Sequence, residues 1–161
     1  MRLNAQKTML LACGKRHAWQ ALRVNRRMPT FDFLGFTHYW GRSRTGKARL
    51  KRKTSKKRLR RALRAINDWL RQERNARPLP DLWRVIGRKM QGHFNYFGVT
   101  DNSRALARFA RVVHRLVFKW LNRRSQRRSF TWERFCRYMR RFPLPRPRPL
   151  VQLNPVWGTL V

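Results

Sequence analysis

Twelve basic side chains fall within twenty positions: Arg42, Arg44, Lys47, Arg49, Lys51, Arg52, Lys53, Lys56, Lys57, Arg58, Arg60 and Arg61. No Asp or Glu occurs between Phe33 and Asn67. Further basic clusters follow at Arg123, Arg124, Arg127 and Arg128, and then at Arg137, Arg140, Arg141, Arg146 and Arg148. In all, 41 Lys and Arg stand against 6 Asp and Glu, a formal net charge of +35. Cations that merely solvate a protein face are normally interspersed with acids, so an excess of this size calls for a polyanion. The chemistry available is phosphate neutralisation, which releases condensed counterions and gives an affinity that falls as salt rises. Arg predominates, and its planar fork suits phosphate while its face suits base stacking, which favours RNA over duplex DNA. His38, Tyr39 and Trp40 flank the basic turn and can stack on unpaired bases. Phe31, Phe33 and Phe36 lie in a strand-like run and are expected to pack a core.

Other chemistries lack their residues. Asp32 is isolated, Asp68 and Glu73 sit among bases, and Asp81, Asp101 and Glu133 read as helix-start residues. No carboxylate pair is placed to hold Mg²⁺ for nucleotidyl transfer, and no Asp-Asp dipeptide occurs. Ser55, Ser103, Ser125 and Ser129 have no nucleophile-elbow context, and there is no glycine-rich phosphate loop. Two distant cysteines, Cys13 and Cys136, rule out a disulfide framework, and with His17, His38, His93 and His114 they show no zinc-ligand spacing. A self-contained enzyme, a bound metal and a cofactor are therefore not expected. No run of 18 apolar residues and no secretory leader pattern occur, so neither a membrane span nor secretion is expected, and the lone thiols fit a reducing cytoplasm.

The elements that must carry these side chains follow from periodicity. With 42% hydrophobic and 12% aromatic residues the chain has material for a core. Met9–Cys13 reads as a short buried strand. Phe31 to Trp40 is dense in β-favouring residues, Gly41 through Gly46 supply a turn, and Lys47–Lys51 alternates, which predicts a hairpin. From Thr54 the period lengthens, and Leu59, Ala62, Leu63, Ile66, Trp69 and Leu70 mark an amphipathic helix capped by Thr54 or Ser55. Leu82, Val85, Ile86, Met90, Phe94 and Phe97 outline a second helix, capped by Asp81 and ended by Gly98. A third starts at Asp101 or Asn102 and carries the stripe Ala105, Leu106, Phe109, Val112, Val113, Leu116, Val117, Trp120 and Leu121. A fourth has Thr131 as cap, Glu133 in its first turn, a Phe130–Phe135 staple, and a core side of Trp132, Phe135, Cys136 and Met139. Four prolines between Pro143 and Pro149 make the tail extended. The expected fold class is α+β, mainly α: a β-containing piece over 1–53, a bundle of three to four helices over 54–142, and an extended tail over 143–161. Two or three strands need a partner sheet or helix, so the first piece is expected to be the end of a larger domain. The helices' apolar faces are committed to the bundle, which argues against binding to a membrane surface.

Several segments resemble one family. Phe31-Asp32-Phe33-Leu34-Gly35-Phe36-Thr37, preceded by Leu3-Asn4-Ala5-Gln6-Lys7-Thr8, is similar to the last reverse-transcriptase block of bacterial group II intron-encoded proteins. Lys53-Thr54-Ser55-Lys56-Lys57, Gln91-Gly92-His93-Phe94-Asn95-Tyr96-Phe97-Gly98, Trp120-Leu121-Asn122-Arg123-Arg124-Ser125 and Phe142-Pro143-Leu144-Pro145 resemble the maturase-specific thumb, domain X. The resemblance runs from about residue 1 to 150, with its motifs in order.

It implies that 1–53 is the end of a reverse-transcriptase palm, with a primer-grip-like hairpin built on Phe31, Phe33, Leu34, Gly35 and Phe36. It implies RNA contacts from Lys53, Lys56, Lys57, Arg58, Arg123, Arg124 and the Gly92–Tyr96 stretch with His93, Asn95 and Tyr96, and the charge pattern adds Arg42, Arg44, Lys47, Arg49, Lys51, Arg52, Arg61, Arg127 and Arg128 as candidate RNA contacts. The implied partner is group II intron RNA, whose folding and splicing such a protein assists, with a template-primer duplex and a separate palm polypeptide as further partners. Mg²⁺ would belong to the intron RNA or to that palm, and the setting would be a bacterial cytoplasm, in association with RNA or nucleoid. Two departures stand out. Gln6 replaces a usual acid, and the Tyr-Ala-Asp-Asp motif would lie upstream of Met1, so this chain is not expected to synthesise DNA alone. The competing expectations are a structural RNA-packing protein of the ribosomal type and one piece of a split reverse transcriptase.

Overall fold

The structure, a computed structural model, describes residues 11, 14–124 and 130–151. The strand expected at Met9–Cys13 lies outside them apart from Leu11, as do Arg127, Arg128 and residues 152–161. The fold is mixed α/β and mainly helical, in the order α1 (Lys15–Arg23), β1 (Phe31–Phe33), β2 (Phe36–Arg42), β3 (Ala48–Thr54), α2 (Lys56–Glu73), α3 (Leu79–Phe97), α4 (Ser103–Leu121) and α5 (Trp132–Arg141). It divides into two compact units, Met1–Lys53 and Thr54–Val161.

In the first unit the three strands form an antiparallel sheet in the order β1-β2-β3. The first turn contains only Leu34 and Gly35, both at positive φ (47° and 81°), between the paired residues Phe33 and Phe36. That backbone matches the strands' right-handed twist, and it is unusual in placing leucine where glycine or asparagine is favoured. The register sets Phe31 opposite His38, and their rings stack with centroids 4.8 Å apart. Asp32 stands opposite Thr37, whose hydroxyl donates to its carboxylate. The second turn is shorter than expected, because β2 continues through Gly41 and Arg42. The Ser43 N–H donates to the Lys47 carbonyl (2.8 Å), and the Ser43 hydroxyl accepts from the Lys47 N–H (3.0 Å). Helix α1 was not foreseen. It buries just two small side chains, Ala18 and Ala21, so its apolar stripe is too faint to stand out in the sequence.

In the second unit the side chain of Ser55 accepts from the Arg58 N–H and that of Thr131 from the Arg134 N–H, so α2 and α5 begin at hydroxyl caps. Helix α3 starts ahead of the expected cap, and Asp81 lies in its first turn. The physical reason is Pro80, whose fixed φ suits a first turn and whose missing N–H needs no partner there. The core is built by Leu59, Ile66 and Leu70 of α2, Leu82, Ile86, Met90 and Phe94 of α3, Leu106, Phe109, Val113, Val117 and Leu121 of α4, and Phe135 of α5. Trp132 was expected there too but is 47% exposed. It is the first residue of its helix, where a side chain leans back beyond the packed turns, and its ring meets the edge of Phe118 at 5.1 Å.

The segment after α5 runs alongside α3 in the same direction. The Trp83 indole N–H donates to the Phe142 carbonyl (3.0 Å), Leu144 is buried, and the Leu150 N–H donates to the Gly98 carbonyl (2.6 Å). Val151 then forms a parallel bridge with Val99. A Cβ on Gly98 would lie 2.4 Å from the Phe94 carbonyl oxygen and 3.0 Å from that of Arg148, so only glycine lets the segment approach this closely.

Candidate nucleic-acid interface

In the first unit, Arg42, Arg44, Lys47 and Lys53 are exposed, while Arg49, Lys51 and Arg52 are half-buried. Several are held by specific contacts. Arg42 donates to the Leu22 carbonyl (2.7 Å), Lys53 lies over the Tyr39 ring (5.0 Å), and Lys51 crosses the open face of Gly41. On the sheet's aromatic side, Nδ1 of His38, Nε1 of Trp40 and Nη1 of Arg52 are buried with no hydrogen-bond partner. Burial, and then the charge of Arg52, hold the His38 imidazole below its ordinary pKa. Of the hairpin residues, Phe33 and Leu34 are 60% and 66% exposed, whereas Phe31, Gly35 and Phe36 are half-buried.

In the second unit the first two turns of α2 carry Lys56, Lys57, Arg58, Arg60 and Arg61, all exposed, and no acid lies in the first turn. Cations there oppose the positive end of the helix macrodipole, at a cost that a bound anion relieves. On α3 the motif 91–98 divides by side. Gln91, Gly92, Asn95 and Tyr96 are exposed, and Gln91 donates to the Asn95 side chain (2.7 Å). His93 turns inward: its ring stacks on Phe109 with centroids 3.7 Å and planes 12° apart, and its Nε2 is buried without a partner. Burial lowers its pKa to about 4. His93 therefore packs the bundle as a neutral ring instead of presenting a cation.

Arg123 and Arg124 sit where α2 and α4 end together. Arg124 donates to the Arg77 carbonyl (2.9 Å), and Arg74 donates to the Arg123 carbonyl (3.2 Å). The Trp120 indole N–H donates to Asn67 (3.0 Å), while Arg74, Lys119 and Arg123 all lie within 5.5 Å of its ring. Guanidinium groups here close helix C-termini, where the macrodipole favours them. Arg123 stays exposed; Arg124 is half-buried.

One array was missed. Arg104, Arg108, Arg111, Arg115 and Lys119 are all exposed on α4, at steps of four, three, four and four residues. At 3.6 residues per turn they fall within an arc of roughly 80° along about 22 Å of helix. The signal was in the sequence as a period of cations, but attention to apolar periodicity and to runs of adjacent bases passes over it.

Carboxylates are too few to neutralise these surfaces. Glu73 pairs with Arg77 and Asp81 with Arg84. Even if all 6 acids paired one to one, 35 of the 41 cations would remain. Among the described residues no group of three His, Cys, Asp or Glu is placed to hold a metal, and no helix is long and apolar enough to cross a membrane.

No curated protein and no solved structure gives a match to this chain. The family described as "Group II intron, maturase-specific domain" does match, over residues 59–139, from within α2 to within α5.

Proposed function

Because the chain belongs to the group II intron maturase-specific domain family, we propose that it binds group II intron RNA and assists the folding and splicing of that RNA. The observation that carries this reading is the exposed cation surface of the matched segment itself, on α2 and along α4, left unneutralised by the chain's few acids. The mechanism is electrostatic and shape-based. Cations screen phosphates that a folded ribozyme must bring close together, and each phosphate neutralised adds affinity through counterion release. The chain's side chains need perform no chemistry, and the active site and its Mg²⁺ belong to the RNA. In this reading the first unit is the end of a reverse-transcriptase palm, with Phe31–Phe36 as a primer-grip-like hairpin. A template-primer duplex and a separate palm polypeptide are its further partners, and a bacterial cytoplasm its setting.

The test is binding of the 161-residue chain to a folded group II intron RNA, titrated against salt beside equal masses of ribosomal RNA and duplex DNA. A preference for the intron of tenfold or more at physiological salt, about 1.4 kcal/mol, is expected. Equal binding to all three with one steep salt slope would overturn it and favour a general RNA-packing protein.

A further inference from the structure

Between α2 and α3 lies an open groove of about 460 Å³, lined by Arg58, Arg61, Ala62 and Ala65 on one side and by Tyr96 and Phe97 on the other. The four α2 residues follow i, i+3, i+4, i+7, so they form a single face of that helix. Its composition is unlike the rest of α2. Where Arg and Lys otherwise crowd the helix surface, two alanines leave a shallow apolar floor, with the guanidinium groups at one end. Opposite, Phe97 is 8% exposed and closes the base, while Tyr96 is 57% exposed, its ring set at a steep angle to that of Phe97 with centroids 4.7 Å apart. No acid lines the groove.

We infer that this groove holds one unpaired nucleotide of a bound RNA, its base stacked on Tyr96 over Ala62 and Ala65 and its phosphate on Arg58 and Arg61. Three features converge on that ligand. A flat aromatic face beside a small-residue floor suits a planar base, and stacking on such a ring is tolerant of sequence. The neighbouring guanidiniums supply the fork that phosphate takes. Arg58 lies in the first turn of α2, where the positive end of the helix adds to its attraction for an anion. The volume is also within the usual range of small-ligand sites. A membrane lipid or an acidic peptide would supply the anion without explaining the exposed ring and its flat floor. The inference rests on the RNA-binding reading and narrows it: duplex regions would be held by cations alone, and a bulge or loop would be read by the groove.

The test compares two RNAs of equal length at physiological salt, a blunt duplex and the same duplex with one bulged 2-aminopurine, whose fluorescence falls on stacking. With the unaltered chain, the bulged RNA should bind more tightly and lose fluorescence. Tyr96→Ala and Ala62→Leu, the second filling the floor, should each weaken the bulged RNA by about tenfold, within the range of single-base stacking, while duplex affinity stays unchanged. Tyr96→Phe keeps the ring and should keep the quenching. Tyr96 is exposed and Ala62 half-buried, and circular dichroism checks that the helices persist. Equal affinity for the two RNAs, or variants that lower both alike, would overturn the groove while leaving RNA binding intact. Failure of the unaltered chain to bind either RNA would sink the RNA-binding reading itself.

Discussion

Asn102 reaches across the start of α4 to Thr54, accepting the Thr54 N–H at Oδ1 (2.7 Å) and donating from Nδ2 to the Thr54 hydroxyl (2.8 Å). The same Nδ2 donates to the Phe97 carbonyl (2.8 Å), and the residue is fully buried. One amide thus ties the residue ahead of α2 to the connection between α3 and α4. It makes no side-chain cap for its own helix. Asn102→Ala should destabilise the chain by about 2–4 kcal/mol, because it strands a buried N–H and a buried carbonyl. Asn102→Asp keeps the acceptor for the Thr54 N–H but sets a buried carboxylate against the Phe97 carbonyl, and should cost at least as much as the alanine. Urea unfolding followed by circular dichroism reads both, and a midpoint unchanged by the alanine would refute the tie.

The stacked pair His93 and Phe109 makes stability depend on pH. The folded bundle holds His93 near 4 and also lowers His114, in both cases by burial, so the unfolded chain takes up protons first. This contribution is complete above the unfolded value of about 6.5 and is lost progressively as pH falls towards 4. Allowing for the partial exposure of the ring, His93 accounts for a loss on the order of 1–2 kcal/mol. His93→Phe should flatten that part of the profile. Thermal melts at pH 7, 5.5 and 4.5 would show it, and parallel profiles for the two proteins would be the contrary result.

Leu34 holds a left-handed backbone at φ 47°, in a two-residue turn with its side chain 66% exposed. Leu34→Gly removes the steric conflict between Cβ and carbonyl and should raise stability by about 0.5–1 kcal/mol. Because Leu34 belongs to the primer-grip-like hairpin of the proposed function, nucleic-acid affinity measured on the same variant has its own direction. If the exposed side chain makes contact, binding weakens as the melting point climbs. A lower melting point would contradict the turn geometry.

Along α4 the five-cation stripe places like charges at neighbouring helical positions, each pair costing about 0.2–0.5 kcal/mol. Replacing Arg104, Arg108, Arg111, Arg115 and Lys119 together by Gln should therefore stabilise the folded chain. For duplex nucleic acid it should also reduce the salt slope of log affinity by about 4.5, if each of the five meets a phosphate. Opposite changes in stability and affinity are the signature of a surface kept for binding. A slope that does not move would assign the stripe no part in it.

The helical half was readable because its signals are local and redundant. Ser55 and Thr131 announce two helix starts by hydroxyl chemistry, and α4 repeats its apolar stripe through Leu106, Phe109, Val113 and Val117. What escaped depends on distant partners or on faint patterns. Asn102 reads as a helix cap until Thr54, 48 positions away, claims its amide. Trp83 could be placed in the core only once Phe142 offered its carbonyl. His93 reads as a contact residue because it stands between the polar Gln91 and Asn95, whereas α3 turns that position towards Phe109. Helix α1 rests on two alanines, which carry little hydrophobic signal.

The segment that follows α3 along its length, from Phe142 to Val151, carries a consequence for the order of events during synthesis. Helix α3 leaves the ribosome before the partners of the Trp83 indole and the Gly98 carbonyl, which are translated 59 and 52 residues later. At about 5–20 residues per second the nascent helix waits several seconds for its cover. Throughout that interval a strongly cationic, half-finished bundle is held beside ribosomal RNA.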